Sequence, residues 1–196
     1  MWLETERLHL RDFVAGDWPD VYAYSSDPDV VRYLPFGPSS VEQTKEHIAR
    51  CIALARAHPR HVYDMAVVLR AEQRVIGSCT LALLEYEPRH ATFAYLFHRA
   101  YWGHGYATEA MRALFTYGFE TLGLHRIADT CDARNIASVR VMEKLGMRRE
   151  AHYRETIWDG TAWHDEYGYA ILAHEWRARG QHNVHTGVRQ GINDSQ

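Results

Sequence analysis

A nine-residue segment, WGHGYATEA at residues 102–110, constrains this chain more than any other part of its sequence. Gly103 and Gly105 carry no side chain that would keep a ligand off the backbone, and both tolerate the positive φ needed to turn around an anion. The segment then runs into a helical pattern, whose first N–H groups have no partner within the helix. The junction therefore predicts a phosphate site. A tight turn into the helix, without any ligand, is the alternative at this point.

Length and charge narrow the classes of protein that the chain can belong to. With 196 residues it fits one domain, which we expect over residues 1–176, followed by a polar C-terminal tail at 177–196. A net charge of -3 without a basic stripe argues against nucleic acid as a partner. The 3 cysteines lie far apart, so no metal site is expected. Without an apolar leader or a membrane-spanning run, we expect a soluble cytoplasmic protein with no membrane partner.

Apolar periodicity and turn residues predict an α/β (α+β) domain, with a mixed and mostly antiparallel sheet of about seven strands flanked by helices. The expected strands cover residues 7–14, 63–69, 75–84, 90–97, 126–131, 148–158 and 163–172. The second, third and fourth of these should form a meander. Asp159 and Gly160 predict a hairpin turn between the last two.

Capping residues predict where the helices begin and end. Asp17 is placed to start a short helix, and Ser40 with Gln43 forms a capping box for a second one. A third helix follows the glycine segment. Asn135 is the expected N-cap of a fourth helix, which Gly146 would end as its C′ residue.

The order of elements excludes the common nucleotide motifs. No Gly-Lys-Ser/Thr follows the two glycines, a third glycine is missing, and four predicted strands come before them. The segment instead resembles the pyrophosphate loop of the GNAT acetyltransferase superfamily, particularly its RimJ/RimL-like branch. The resemblance covers about residues 3–176, through the segments TERLHLR, YLPFGP, VIGSCTL, DARNIASVRVMEKLGMRRE and DGTAWHDEYGYAIL.

That resemblance implies a GNAT acyl-CoA N-acyltransferase fold and an acetyl-CoA-dependent N-acetyltransferase in which a primary amine attacks directly in a ternary complex. It implies that the pyrophosphate lies on the backbone of Gly103, His104, Gly105, Tyr106, Ala107 and Thr108. The hydroxyl of Thr108 would add a donor. The end of the fourth predicted strand, at Leu96, Phe97 and His98, would pair with pantetheine.

Two residues of the following helix would complete the coenzyme site. Asn135 matches a family residue near the pantetheine arm, and a purely helix-capping role is its alternative. Lys144 would contact a CoA phosphate, unless it is simply a solvated helix charge.

The resemblance leaves the acid and the base open. Met142 occupies the position of the family's usual tyrosine and cannot donate a proton, so Ser138, one turn earlier, is the candidate proton source. A capping role is the alternative for Ser138. Thr92 stands where many relatives have a glutamate base. The other candidate bases are Glu85, Glu87, His98, Asp165 and Glu166.

The choice of acceptor amine is predicted only from the pKa of the ammonium group that must lose its proton before attack. A protein N-terminal α-amine, with a pKa of about 7.7 to 8.0, is partly neutral at pH 7, whereas a lysine near about 10.4 is not. This favours an α-amine, as in RimJ/RimL-like enzymes. A small-molecule acceptor (polyamine, amino acid or antibiotic) and a catalytically weak CoA-binding module are the alternatives, and the protein would be a monomer or a homodimer.

Overall fold

The computed structural model describes residues 1–87 and 89–180 of the chain. Its eight strands are β1 Trp2–Glu4, β2 Leu8–Asp12, β3 Val62–Leu69, β4 Arg74–Leu83, β5 His90–Phe97, β6 Arg126–Asp132, β7 Arg148–Trp158 and β8 Trp163–Leu172. Its six α-helices are α1 Trp18–Ser25, α2 Pro28–Val31, α3 Val41–Ala55, α4 Tyr106–Glu120, α5 Ile136–Leu145 and α6 Ala173–Gly180. The predicted mixed α/β class is confirmed.

Two short elements in the N-terminal part of the chain were not predicted. β1 is a three-residue strand that pairs antiparallel with β2, with Leu3 opposite Leu10, and it raises the strand count from about seven to eight. The short helix α2 begins where the carboxylate of Asp27 accepts the N–H of Asp29 at 2.9 Å. Both elements are too short to show a hydrophobic period.

The predicted helix signals are confirmed for α3 and α5. Both hydrogen bonds of the capping box between Ser40 and Gln43 are present. Asn135 accepts the N–H of Ser138 at 3.1 Å and so caps α5. Gly146 ends α5 in the left-handed conformation, with φ +84°.

One compact unit consists of Met1–Leu81 and Ala94–Leu114. Its strands follow the order β1-β2-β3-β4-β5, and β2 pairs antiparallel with β3 from Leu8 opposite Leu69 to Asp12 opposite Met65. The buried core joins α1, α3 and the strands through Phe13, Val21, Tyr24, Val30, Ile48, Cys51, Ala66, Val68 and Val75.

A second compact unit consists of Ala82–Phe93 and the described residues from Phe115 onward. Its strand order is β5-β6-β8-β7, and β6 and β7 each pair antiparallel with β8. β5 and β6 are parallel, and in the described part of the chain they pair at His90 with Arg126 and at Ala91 with Ile127. An aromatic cluster fills the core, where the ring of Phe115 lies 5.1 Å from that of Phe93 and 5.8 Å from that of Trp176.

The predicted hairpin between β7 and β8 is confirmed. Trp158 pairs with Trp163, so the connection covers residues 159–162, which include the predicted turn residues Asp159 and Gly160. The carboxylate of Asp159 stabilises this connection, because it accepts hydrogen bonds from the N–H of Thr161 and of Ala162, both at 3.0 Å.

The C-terminal part of the chain differs from the expected tail at its start. α6 runs to Gly180, so residues 177–180, which the sequence assigns to the polar tail, belong to a helix. The remainder of the predicted tail, residues 181–196, lies outside the described residues. A single domain over 1–176 stays a prediction. No helix within the described ranges is long and apolar enough to cross a membrane.

Candidate active site

The segment between β5 and α4 has the backbone conformation that its glycines predict. Gly103 has φ +80° and Gly105 has φ +83°. A Cβ atom at Gly103 would meet nothing within 4 Å, and one at Gly105 would meet only the Arg7 guanidinium at 3.7 Å. The glycines are therefore required by the backbone conformation, since the surrounding protein leaves space for a side chain.

A run of backbone donors follows the turn. α4 starts at Tyr106, and the first N–H in its opening turn with a backbone acceptor is that of Glu109, which donates to the carbonyl of Gly105 at 3.0 Å. Six residues precede Glu109 in this segment: Gly103, His104, Gly105, Tyr106, Ala107 and Thr108. Their backbone N–H groups have no hydrogen-bond acceptor among residues 1–87 and 89–180. We call these six residues the donor loop. Together with the positive end of the α4 dipole, their N–H groups can bind an anion.

An ion pair between Arg7 and Glu109 stabilises the conformation of the donor loop. The carboxylate of Glu109, in the first turn of α4, accepts from the hydroxyl of Thr5 at 2.6 Å and from the N–H and Nε of Arg7 at 3.0 and 2.7 Å. Arg7 also donates from Nη1 to the carbonyl of His104 at 3.1 Å, and its guanidinium lies 4.5 Å from the centre of the Tyr106 ring. Arg7 therefore holds both the turn and the first helical residue.

The end of β5, at Leu96, Phe97 and His98, lies beside the donor loop. The carbonyl of Phe97 accepts from the indole Nε1 of Trp102 at 2.8 Å, and the N–H of His98 donates to the carbonyl of Ile76 at 2.9 Å. Two of the backbone groups at the predicted pantetheine position are thus bonded within the protein. The Phe97 carbonyl would have to leave Trp102 to accept from a ligand.

Gly77 on β4 brings this strand end close. A Cβ atom at Gly77 would lie 2.5 Å from the carbonyl oxygen of Leu96 and 2.6 Å from the Phe97 ring. Only glycine allows this approach of β4 to the end of β5.

The three remaining predicted site residues share α5 and belong to the second unit. The side chain of Asn135 caps the helix through the N–H of Ser138, Ser138 itself is half-buried, and Lys144 is exposed. Met142, at the position of the family's tyrosine, is 1% exposed. The structure thus groups Leu96, Phe97, His98 and the donor loop in one unit, and Asn135, Ser138 and Lys144 on one helix in the other.

Several predicted bases are already engaged. His98 Nδ1 accepts the N–H of Ala100 at 3.1 Å, which uses the lone pair of that nitrogen. The N–H of Glu155 and the nearby His152 lower the pKa of Asp165, which makes it a weak base. Glu166 accepts the hydroxyl of Thr130 at 2.5 Å. Glu85 and Glu87 are exposed on the β4–β5 connection.

A cavity of about 250 Å3 lies within the second unit, where β5 and β6 separate. Its lining includes Thr92, Asp129, Glu150, Tyr153 and Tyr169. The carboxylate of Asp129 accepts the N–H of Phe93 at 2.9 Å, a donor that would otherwise face the partner strand, and burial raises the pKa of this carboxyl. Asp129 was not predicted as a site residue, although an acidic residue inside the strand predicted at 126–131 could have indicated it.

Comparison with known proteins agrees with the fold. Residues 7–148 match the family model described as an acetyltransferase (GNAT) domain. The chain belongs to the GNAT acetyltransferase family. The uncharacterized N-acetyltransferase YnaD of Bacillus subtilis is 38% identical over 177 residues, which cover 90% of this chain and 99% of YnaD. The crystal structure of a GNAT-family acetyltransferase from Bacillus anthracis is 36% identical, covers 89% of this chain and 99% of its own, and superposes with a TM-score of 0.79.

More distant structures show the same fold with different acceptors in their names. A spermidine N-acetyltransferase from Vibrio cholerae, solved with CoA and spermine, has a TM-score of 0.76 at 22% identity, over 88% of this chain and 99% of its own. RimL, a ribosomal L7/L12 α-N-protein acetyltransferase solved with coenzyme A, has a TM-score of 0.77 at 18% identity, over 88% and 98%. At these identities the likeness concerns the fold alone.

Proposed function

We propose that this acetyltransferase takes an acetyl group from acetyl-CoA and transfers it to a primary amine, which attacks the thioester directly in a ternary complex. The observation that supports this donor is the donor loop, where six consecutive N–H groups have no acceptor within the described residues and two glycines hold positive φ. The pyrophosphate of CoA is the anion that such a loop is suited to bind.

The loop can bind a pyrophosphate without a lysine. Each of its N–H groups offers one donor, and a hydrogen bond to a charged oxygen is stronger than a neutral one. The Arg7 guanidinium, 42% exposed in its side chain and already bonded to Glu109, adds positive charge behind the turn. We also propose the Thr108 hydroxyl, Asn135 and Lys144 as contacts to the coenzyme.

Acetyl transfer requires a neutral amine, a polarised thioester carbonyl and a proton for the departing thiolate. The amine nitrogen forms a bond to the carbonyl carbon, the carbon–sulfur bond breaks, and the nitrogen loses one proton. We propose that Ser138 delivers the proton that the thiolate sulfur receives, either directly or through water. The amine's proton leaves to solvent or to a nearby carboxylate.

We propose a protein N-terminal α-amine as the acceptor, because its modest pKa compensates for the lack of one strong base. One observation favours a second acceptor class, a small cationic amine such as a polyamine. The lining of the cavity in the second unit includes Asp129, Glu150 and Tyr153. Although Arg126 pairs with Glu150, the carboxylate of Asp129 has no cationic side chain bonded to it within the described residues. Carboxylates and aromatic faces both attract ammonium groups.

Gly105→Val tests the donor site. A β-branched residue resists φ +83°, so we expect the turn to change conformation and CoA binding to be lost. Gly123→Val is the matched control, because Gly123 also has a positive φ, +67°, and has no atom within 4 Å of its Cβ position. Isothermal titration with CoA should show loss of binding in Gly105→Val only. Equal CoA affinity in the two variants would refute the assignment.

The acceptor is tested by thiol release from acetyl-CoA with N-terminal peptides, spermidine and a lysine side chain as parallel acceptors. We expect the N-terminal peptides to give the highest kcat/KM. A preference for spermidine would assign the second acceptor class. Tight CoA binding without turnover of any amine would instead show a CoA-binding module.

A further inference from the structure

A cluster of three potential metal ligands lies between α3 and β3, and the acetyl transfer proposed above does not use it. His47 and Cys51 are four residues apart on α3 and therefore share one helix face, which Asp64 of β3 approaches. Cys51 Sγ lies 3.2 Å from Asp64 Oδ2 and 3.5 Å from His47 Nε2. One ligand atom from each residue lies within 4.8 Å of the other two.

These separations are close to those around a tetrahedral cation. Zinc binds sulfur at about 2.3 Å and nitrogen or oxygen at about 2.0 to 2.2 Å, so sulfur and a nitrogen or oxygen ligand at a tetrahedral angle lie about 3.5 to 3.7 Å apart. The 3.5 Å between Cys51 Sγ and His47 Nε2 matches that spacing, and the 3.2 Å hydrogen bond between Cys51 Sγ and Asp64 Oδ2 would lengthen on binding. A mixed set of thiolate, imidazole and carboxylate ligands suits zinc better than magnesium or calcium.

The surroundings orient the carboxylate ligand. The hydroxyl of Thr80 donates to Asp64 Oδ1 at 3.1 Å and leaves Oδ2 toward Cys51, as an outer ligand partner does in metal sites. Cys51 is 3% exposed, so the cluster is shielded from bulk water on the helix side.

We propose that His47, Cys51 and Asp64 bind one divalent cation of the zinc class. The Cys51 S–H bond breaks on binding, its proton passes to solvent, and the thiolate sulfur donates an electron pair to the cation. A water completes the fourth position. The cation connects α3 to β3 and stabilises the folded unit. This site is independent of the donor loop, so the two proposals stand or fall separately.

Metal titration of the full chain, after treatment with EDTA, tests the site. With Co2+ as a spectroscopic probe we expect one ion per chain, visible d–d bands typical of tetrahedral cobalt and a near-ultraviolet band from sulfur-to-cobalt charge transfer. With Zn2+ we expect the melting temperature to rise and a proton to be released. Absence of binding at one ion per chain would overturn the proposal.

Variants assign the ligands. Cys51→Ser should remove the charge-transfer band, and Thr80→Val should weaken the affinity for Zn2+ by roughly 10-fold or more while the protein stays folded. Cys131→Ser controls for a cysteine elsewhere, and the double variant His182→Gln with His185→Gln controls for the histidines near the C-terminus. Both controls should keep the cobalt spectrum. A charge-transfer band that survives Cys51→Ser, or that disappears in either control, would refute the assignment. If the serine variant does not fold, Asp64→Asn is used with a different readout: it should lower the affinity for Zn2+, and an unchanged affinity would refute the assignment.

Discussion

Replacing Gly77 by alanine would push apart two strands next to the donor loop. The added Cβ would lie 2.5 Å from the Leu96 carbonyl oxygen and 2.6 Å from Cδ1 of Phe97. Favourable carbon contacts lie at about 3.5 to 4.0 Å, so a displacement of roughly 1 Å is required. One obstacle is backbone and the other is a ring only 5% exposed, and neither can move without disturbing the strand pair.

The expected loss of stability in Gly77→Ala follows from that geometry. Overpacking a buried position costs about 1 to 3 kcal/mol, and a backbone obstacle favours the upper half of this range. For a chain of this size each kcal/mol lowers the melting temperature by about 2 to 4 °C, so Gly77→Ala should melt roughly 4 to 12 °C below the wild type. Thermal denaturation followed by circular dichroism measures this shift.

Gly37→Ala is the matched control for the same substitution. Its Cβ would meet nothing within 4 Å. The backbone of Gly37 does not have a positive φ, so we expect the free energy of unfolding to change by at most about 0.5 kcal/mol. Because Leu96, Phe97 and His98 adjoin the donor loop, Gly77→Ala should also weaken CoA binding, and Gly37→Ala should not. Equal melting temperatures for the two variants would refute the close approach of β4 and β5.

Two further substitutions test the second unit. Ser138→Ala should lower kcat by about 100-fold, because it removes the proposed proton source. The affinity for CoA should not change, because the cap at Asn135 uses the backbone N–H of residue 138, which the substitution keeps. An unaltered kcat would show that Ser138 has only a structural role at the start of the helix. Asp132→Asn tests an ion pair. Burial alone would raise the pKa of Asp132, but the hydrogen bonds from Arg134 outweigh it and hold the folded-state pKa below the ordinary value. The stabilisation is therefore complete near pH 7 and is lost as the pH falls through that lowered pKa. Urea unfolding should show a gap between wild type and Asp132→Asn that shrinks in acid, and a gap independent of pH would contradict the ion pair.

Local signals in the sequence were sufficient to predict helix ends and turns, because these features depend on residues that are close together in the chain. The capping box at Ser40, the cap at Asn135 and the left-handed Gly146 each depend on neighbours within four positions, and all three are present. The positive φ of Gly103 and Gly105 is of the same kind, because a turn into a helix requires it.

Features that depend on distant residues could not be predicted in this way. Glu109 and Arg7 are 102 positions apart, and nothing local marks them as partners. The pairing of β5 with β6 stops after Ala91, because the Asp129 side chain takes the next inward N–H, and no hydrophobic period encodes where a strand pair ends. His47 and Cys51 share a helix face, but Asp64 joins them only through the packing of α3 on β3.

The contact between Arg7 and Glu109 has a consequence for conformational entropy. A flexible loop that becomes ordered only on binding loses about 0.5 to 1.5 kcal/mol for each side chain that it immobilises. Arg7 bonds to the carbonyl of His104, covers the ring of Tyr106 and is held by Glu109, so these residues are already ordered when the chain folds. The loss of conformational entropy that orders the donor loop therefore occurs when the chain folds, and burial of the core offsets it there. A phosphate ligand then binds to a loop that is already ordered.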